Sequence, residues 1–298
     1  MEFNPKFISN IQDIYGEDGD AWLKNLPHYI KQLSSLWDFH LISPMENLSY
    51  NFVGTVRMNA TSQTAILKMA PKGGSLIPEM RWLNCLKKGI PELYKFDEDL
   101  NAFLRENLEP GYSLKTLVKA GDDDGATKII CETIRNIQSQ PCAKDTFRHL
   151  SKLPIVLSTL DGKFDPKLLS KAKELFSDLC ADRSHDVLLH GDLHHDNILS
   201  CRGGWKTIDP HGYIGDPAAE VGAMIRNAFD CFPSNHSVSK IVSRRLSILA
   251  DELPFDPQKI KAWAFCITVL SGAWSAEDHG DVPDITLQVA KAINQATI

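Results

Sequence analysis

The chain has 298 residues, 43% hydrophobic and 23% charged, enough to bury a sizeable core as one large domain or two lobes. Its net charge of -6, with Lys and Arg dispersed, argues against a nucleic-acid partner, whose phosphates call for clustered positive charge. The longest nearly uncharged apolar run, Ala262 to Trp274, is 13 residues, well short of the roughly 20 needed to span a bilayer, so no membrane role is expected.

The opening Met1-Glu-Phe-Asn-Pro-Lys-Phe lacks a basic patch followed by an apolar stretch and a cleavage site, which predicts a cytoplasmic protein. Seven cysteines, at 85, 131, 142, 180, 201, 231 and 266, are odd in number and never spaced C-x-x-C. They fit neither a disulfide framework nor a zinc ribbon, and are expected to be reduced and mostly buried. The acidic balance suits a small cationic substrate, and is also the ordinary balance of cytosolic proteins.

In chain order, the segment from Asn51 to Leu108 is dominated by short β-type runs. Strands are predicted over 52–58 and 64–69, separated by the polar turn Asn59-Ala-Thr-Ser-Gln63, and over 102–105 after the turn Asp97-Glu-Asp-Leu-Asn101. One helix interrupts them between Ser75 and Lys88, where Ile77, Met80 and Leu83 recur at helical spacing and Pro78 lies in the first turn. Lys68 is a lone charge in the apolar run Ala65-Ile-Leu-Lys-Met69, and Glu79 is the only acid between Glu46 and Glu92. Alone, Lys68 reads as an edge lysine reaching solvent, and Glu79 as a first-turn acid favoured by the helix dipole.

After Glu109-Pro-Gly111 the pattern turns helical, with helices predicted over 124–138, 166–181, 217–230, 238–252 and 257–275. The exception is a β-rich insert from Val187 to Asp209, a short strand followed by a hairpin turning at Arg202-Gly-Gly204. Asp216-Pro217 then opens a helix, with Asp as N-cap and Pro at the first helical position. The expected division is a β-rich lobe over 1–107, a hinge near 106–110, and a helical lobe over 108–298.

The chemistry lies in the insert. His190-Gly-Asp-Leu-His-His-Asp-Asn197 reproduces the spacing H-R-D-L-x-x-x-N with Gly for Arg, and Asp209 follows across the hairpin, where the metal-binding Asp of D-F-G falls in protein kinases. Phosphoryl transfer needs this set: a carboxylate that orients the acceptor hydroxyl, and hard oxygen donors that hold Mg²⁺ against the phosphates. A metallohydrolase reading of His190, His194, His195 and Asp196 fails on spacing. The set is not H-E-x-x-H on a helix, and the segment lies between strands.

These residues, with Ile208-Asp-Pro210 and Gly215-Asp-Pro217, resemble the aminoglycoside phosphotransferase superfamily, and within it the aminoglycoside/hydroxyurea resistance kinases that include streptomycin 6-kinases. The likeness runs from about Asn51 to Asp278. It implies a two-lobed, protein-kinase-like α+β fold and transfer of the γ-phosphate of ATP or GTP, with Mg²⁺, to a hydroxyl of an aminoglycoside-like molecule. It makes Asp192 the catalytic base, Asn197 and Asp209 the metal ligands, and His190 and Asp216 supports of the loop. Lys68 and Glu79 become the ion pair that holds the α- and β-phosphates.

The stretch Asn47 to Thr55 holds no G-x-G-x-x-G. Ser49, Tyr50 and Asn51 there either donate to phosphate or simply form a turn. Backbone groups of Glu106, Asn107 and Leu108 would meet the purine edge, which leaves the nucleotide base undecided. Asp230, Glu277 and Asp278 are the acids placed to meet substrate cations; for Glu277 and Asp278 the alternative is the solvated end of a core helix. His211 and Tyr213 differ from the residues expected after that Asp-Pro. Two other functions remain open: a metabolite kinase acting on an amino sugar or amino alcohol, and a non-catalytic binding module.

Overall fold

The computed structural model describes residues 3–74, 76–144 and 146–298. The chain forms two compact units, Met1–Glu109 and Pro110–Ile298.

The first unit begins with a helix that the strand-dominated reading did not anticipate, α1 (Pro5–Trp37). Asn4 caps it by accepting from the Phe7 N–H at 2.7 Å, and Pro5 stands at the first helical position. Gly16 at φ 54 kinks it, which interrupts the apolar period. Beyond the kink Trp22, Leu26, Ile30, Leu33 and Trp37 line one face at helical spacing.

That face packs on an antiparallel sheet of β1 (Phe39–Pro44), β2 (Phe52–Met58), β3 (Thr64–Met69), β4 (Leu93–Asp97) and β5 (Ala102–Glu106), in the order β1-β2-β3-β5-β4. Ala65, Leu67 and Met69 of β3 join the core cluster with α1. By alternation Lys68 projects from the other face, opposite Val53 on β2 and Phe103 on β5 in register. Each large side chain in this core contributes about 1.5–3 kcal/mol by leaving water. The predicted helix after β3 is α2 (Ile77–Cys85); Ser75, which opened the predicted range, lies outside the described residues.

The second unit is built around α8 (Pro257–His279), whose buried positions include Trp263, Phe265, Ile267 and Leu270. It packs against α5 (Pro166–Leu179), α6 (Gly222–Ile225), α7 (Val238–Glu252) and α9 (Asp284–Gln295). No helix of the described residues is long and apolar enough to cross a membrane. At the start of the unit, β6 (Pro110–Ser113) leads through α3 (Lys115–Lys119) to α4 (Asp123–Gln138).

Two small sheets carry the predicted insert. In one, β7 (Arg148–His149) and β8 (Val187–Leu189) flank β11 (Tyr213–Gly215); in the other, β9 (Ile198–Cys201) lies between β10 (Gly204–Thr207) and β6.

The single helix expected over 217–230 is instead a 3-10 turn, Pro217–Val221, the one-turn α6, and a second 3-10 turn, Phe229–Cys231. Ala228 sits in the left-handed region at φ 63, which an α-helix cannot contain. Cys131, Cys180, Cys201, Cys231 and Cys266 are free, as expected. Cys85 and Cys142 are disulfide-bonded, against the reduced state expected of all seven; spacing along the chain carries no information on which thiols approach in space.

Candidate functional site

The loop between β8 and β9 carries His190, Asp192 and Asn197. Gly191 has φ 83, and a Cβ there would lie 2.5 Å from Cδ2 of Tyr213, so the arginine of H-R-D would strain the backbone and push the Tyr213 ring aside. Tyr213, unexpected in sequence, is thus the packing partner of that glycine.

His190 is fully buried and clamps the loop to the far side of the hairpin. Its Nε2 donates to the Ile208 carbonyl at 2.8 Å, and its Nδ1 accepts from the Asp192 N–H at 3.2 Å. Its own carbonyl accepts from the N–H groups of His211 and Gly212, at 2.8 and 3.1 Å. Burial pushes the imidazole down to about 4, so near neutral pH one nitrogen donates and the other accepts. Asp209 falls between these anchors, with its backbone at φ 58. A non-glycine residue held there is a strained feature of the kind that clusters at working sites.

Three side chains hold the Asp192 carboxylate. Arg226 Nη2 lies 3.2 Å from Oδ1, His194 Nε2 lies 3.3 Å from Oδ2, and Asn197 Nδ2 donates to the Asp192 carbonyl at 2.9 Å and to Oδ2 at 3.4 Å. Burial alone would raise this carboxyl; His194 and Arg226 outweigh it and hold the group well below the usual carboxylate range. Arg226 is itself depressed by burial, and Asp192 opposes that shift. The Asn197 carbonyl accepts from the Ile208 N–H at 2.9 Å and from Thr207 Oγ1 at 2.9 Å, which ties the hairpin to the loop.

Sequence reasoning missed Arg226 and Glu220. Glu220, only 2% exposed, accepts the His190 N–H at 2.6 Å and the Gly191 N–H at 3.0 Å. Burial pushes its carboxyl up to about 7, against the two backbone donors. Asp216 does not touch the loop directly. It accepts from the Ala218 N–H at 2.9 Å and pairs with Lys259, and so caps the turn that carries Glu220. A charge directly after the uncharged run Val221 to Ile225 was the available signal for Arg226.

The tentative substrate acids divide. Asp230 lies 3.3 Å from Lys115 Nζ, which also binds Asp196 at 2.8 Å; through this lysine Asp230 joins the loop. Glu277 and Asp278 lie exposed at the end of α8 and form no hydrogen bond or ion pair with residues 190–197.

In the first unit, Lys68 Nζ meets Glu79 Oε2 at 2.7 Å, with both side chains buried. Ser49, Tyr50 and Asn51 form a bend before β2, and the Ser49 carbonyl accepts from Asn10 Nδ2 at 3.1 Å. Glu106 ends β5 with its N–H on the Glu92 carbonyl at 2.8 Å. Asn107 binds Thr64 through its side chain at 3.1 Å, while Leu108 is buried. The backbone N–H and C=O groups of Asn107 and Leu108 make no hydrogen bond among the described residues.

A β-sheet unit with a buried Lys–Glu pair, and a helical unit with an Asp, an Asn and a second Asp around a strand-hairpin joint, define a phosphotransferase of the protein-kinase-like fold with an alcohol group as acceptor. The model of the aminoglycoside/hydroxyurea antibiotic resistance kinases matches residues 49–279, and the chain belongs to that family.

Streptomycin 6-kinase of Streptomyces glaucescens is 24% identical over 275 residues, 89% of this chain and 87% of that protein. Streptomycin 3''-kinase of Klebsiella pneumoniae is 28% identical over 195 residues, 61% of this chain and 70% of that protein. Among solved structures, choline kinase LicA from Streptococcus pneumoniae superposes with a TM-score of 0.60 at 18% identity, covering 89% of this chain and 95% of that one. A likeness at that identity carries the fold alone.

Proposed function

We propose that this kinase transfers the γ-phosphate of ATP or GTP to a hydroxyl of an aminoglycoside-like, streptomycin-type acceptor, with Asp192 as catalytic base. The observation that carries this reading is the setting of Asp192, a carboxylate kept ionised by Arg226 and His194 and aimed by the Asn197 amide. So weak a base does not strip the acceptor hydroxyl in advance. It orients the oxygen and takes the proton late, which suits a loose transition state in which positioning does most of the work.

Asn197 and Asp209 are the residues that would hold Mg²⁺. The Asn197 amide spends its Nδ2 on Asp192, and its Oδ1 accepts no hydrogen bond among the described residues. Asp209 is set across the hairpin between the anchors of His190. Among the described residues no group of three or more His, Cys, Asp or Glu forms a metal site. A set of one amide and one carboxylate still fits Mg²⁺, which commonly takes one or two carboxylates and completes its shell with phosphates and water. When bound, the ion would neutralise charge on the transferring phosphates.

Lys68, steadied by Glu79, is read as the phosphate-holding lysine, with Ser49, Tyr50 and Asn51 as further donors. The unspent backbone groups at Asn107 and Leu108, next to Glu106, suit the purine edge. Asp230, Glu277 and Asp278 are read as contacts for substrate cations, in keeping with the net charge of -6. A reaction that consumes nucleoside triphosphate belongs in the cytoplasm.

The test is ADP or GDP release with Mg²⁺ against streptomycin, other aminoglycosides, amino sugars and amino alcohols. Turnover with streptomycin supports the reading; turnover confined to an amino alcohol replaces the substrate and keeps the chemistry. Nucleotide at about 100 times Kd should add ~2.7 kcal/mol of stability, only with divalent metal present. An equal thermal shift in Asp209→Ala, or in the presence of chelator, would remove the metal assignment.

A further inference from the structure

Arg245, on α7, is fully buried and lies outside the site described above. Its Nε and Nη2 grip the Asp123 carboxylate in the first turn of α4, at 3.0 and 2.7 Å. Its Nη1 donates to three carbonyls, those of Met224 at 3.2 Å, Ile225 at 3.3 Å and Asn227 at 2.8 Å. The guanidinium also lies over the rings of Phe229 and Phe232, 5.3 and 5.7 Å from their centroids.

The three carbonyls bracket Arg226. The Met224 carbonyl also accepts the Asn227 N–H at 3.2 Å, but among the described residues those of Ile225 and Asn227 receive no backbone N–H, because α6 ends at Ile225 and Ala228 turns left-handed. Buried carbonyls must be satisfied, and Arg245 satisfies them. Since Asp123 already neutralises its charge, what Arg245 brings to this turn is a rigid fork of donors more than a field. The ring faces of Phe229 and Phe232 fix the plane of that fork.

We propose that Arg245 is a positioning residue: by holding the carbonyls on either side of Arg226, it fixes the direction from which the Arg226 guanidinium meets Asp192. Its effect on turnover rests on the reading of Asp192 as the base. Lysine in its place keeps the charge opposite Asp123 and loses the fork. The turn then loosens, and Arg226 no longer holds one orientation against the carboxylate. A residue that merely stapled α4 to α7 would act on stability and leave Arg226 in place.

The experiment compares wild type, Arg245→Lys, Arg226→Met and the double variant. It reads kcat, nucleotide KM, melting temperature and the ¹⁵N guanidinium resonance of Arg226, assigned by its loss in Arg226→Lys. Arg245→Lys should broaden that resonance and lower kcat on the order of 10-fold, with nucleotide KM unchanged. In the Arg226→Met background the same change should cost less than about two-fold, since the residue through which it acts is gone.

Equal losses in both backgrounds, or an unchanged Arg226 resonance in folded Arg245→Lys, overturn the proposal. Should Arg245→Lys not fold, Phe229→Leu loosens the guanidinium plane at similar volume and should give the same pattern at smaller size; an unaltered resonance there has the same overturning force. The resonance is read without acceptor. A panel with no phosphorylated product therefore strikes the kinase reading, while positioning of Arg226 stands or falls on the spectrum.

Discussion

The two units each hold a charge centre, and they hold it differently. Lys68 and Glu79 form a buried pair, contributed by the successive elements β3 and α2. Asp192 is half-buried and shared among Arg226, His194 and Asn197, which come from the α6 end, the loop itself and the head of β9. A buried pair is sensitive to the removal of either member, because the survivor stays buried without its nearest opposite charge. A carboxylate with several partners keeps its place when one is lost. The first arrangement makes the fold depend on the site; the second lets the site be altered with little harm to the fold.

The largest effect should come from Asp192→Asn, which keeps shape and hydrogen-bonding capacity. It should lower kcat by ~10² to 10⁴ and leave melting temperature and nucleotide Kd close to wild type. Near wild-type turnover on an established acceptor would falsify the base assignment. Lys68→Met should behave in the opposite way, losing about 3 to 5 kcal/mol of stability by taking the nearest cation from buried Glu79. The double change Lys68→Met/Glu79→Leu should recover most of that in urea unfolding without recovering activity. Were the single variant as stable as wild type, the contrast between the units would collapse.

Glu220 sharpens the comparison, because it is a buried acid whose hydrogen bonds among the described residues come from backbone donors. Its carboxyl is raised to about 7 in the fold from 4.5, so between those values the native state binds the extra proton and stability falls as pH rises. The total is on the order of 3 kcal/mol. His190, lowered to about 4 from 6.5, works the other way: protonating the unfolded chain costs stability as pH falls below 6.5. The two slopes oppose each other between 4.5 and 6.5. Glu220→Gln should uncover the His190 slope, so its unfolding free energy should climb more steeply than wild type from pH 5 to 6.5. Parallel curves would show that Glu220 does not titrate as described.

The smallest effects belong to the exposed acids. Asp230→Asn should raise acceptor KM by about two- to five-fold if Asp230 meets a substrate cation, roughly what a solvent-exposed charge pair supplies. Glu277→Gln and Asp278→Asn, which make no hydrogen bond or ion pair with the loop, should change it less. Unchanged KM in all three removes the acidic acceptor subsite and leaves phosphoryl transfer untouched.

What the sequence revealed follows from where polar residues could be told from background. Residues 190–197 and 209 stand out because their types and spacing are improbable for a loop that only connects strands. Lys68 and Glu79 stand out as lone charges in apolar surroundings. Arg226 and Glu220 were hidden because charges at such intervals look like the wet face of an amphipathic helix, as the run 217–230 was taken to be. α6 ends at Ile225 and Ala228 turns left-handed where Arg245 captures the Ile225 and Asn227 carbonyls, and no local propensity records that. In α1, Gly16 interrupts the apolar period and Pro27 reads as a helix breaker, which masks the long helix beneath the sheet.

Asn197 also bears on how the enzyme ages. Hydrolysis of its amide would replace a donor to Asp192 with a second carboxylate at the same 3.4 Å separation, two like charges that cannot both stay ionised comfortably. That change begins when the following backbone nitrogen attacks the side-chain carbonyl. Here that nitrogen belongs to Ile198, whose branched side chain is fully buried, and the Asn197 backbone is pinned by its N–H on the His194 carbonyl at 3.0 Å and its carbonyl on Ile208. Asn197, proposed above as a metal ligand, therefore sits in a backbone that resists closing the ring.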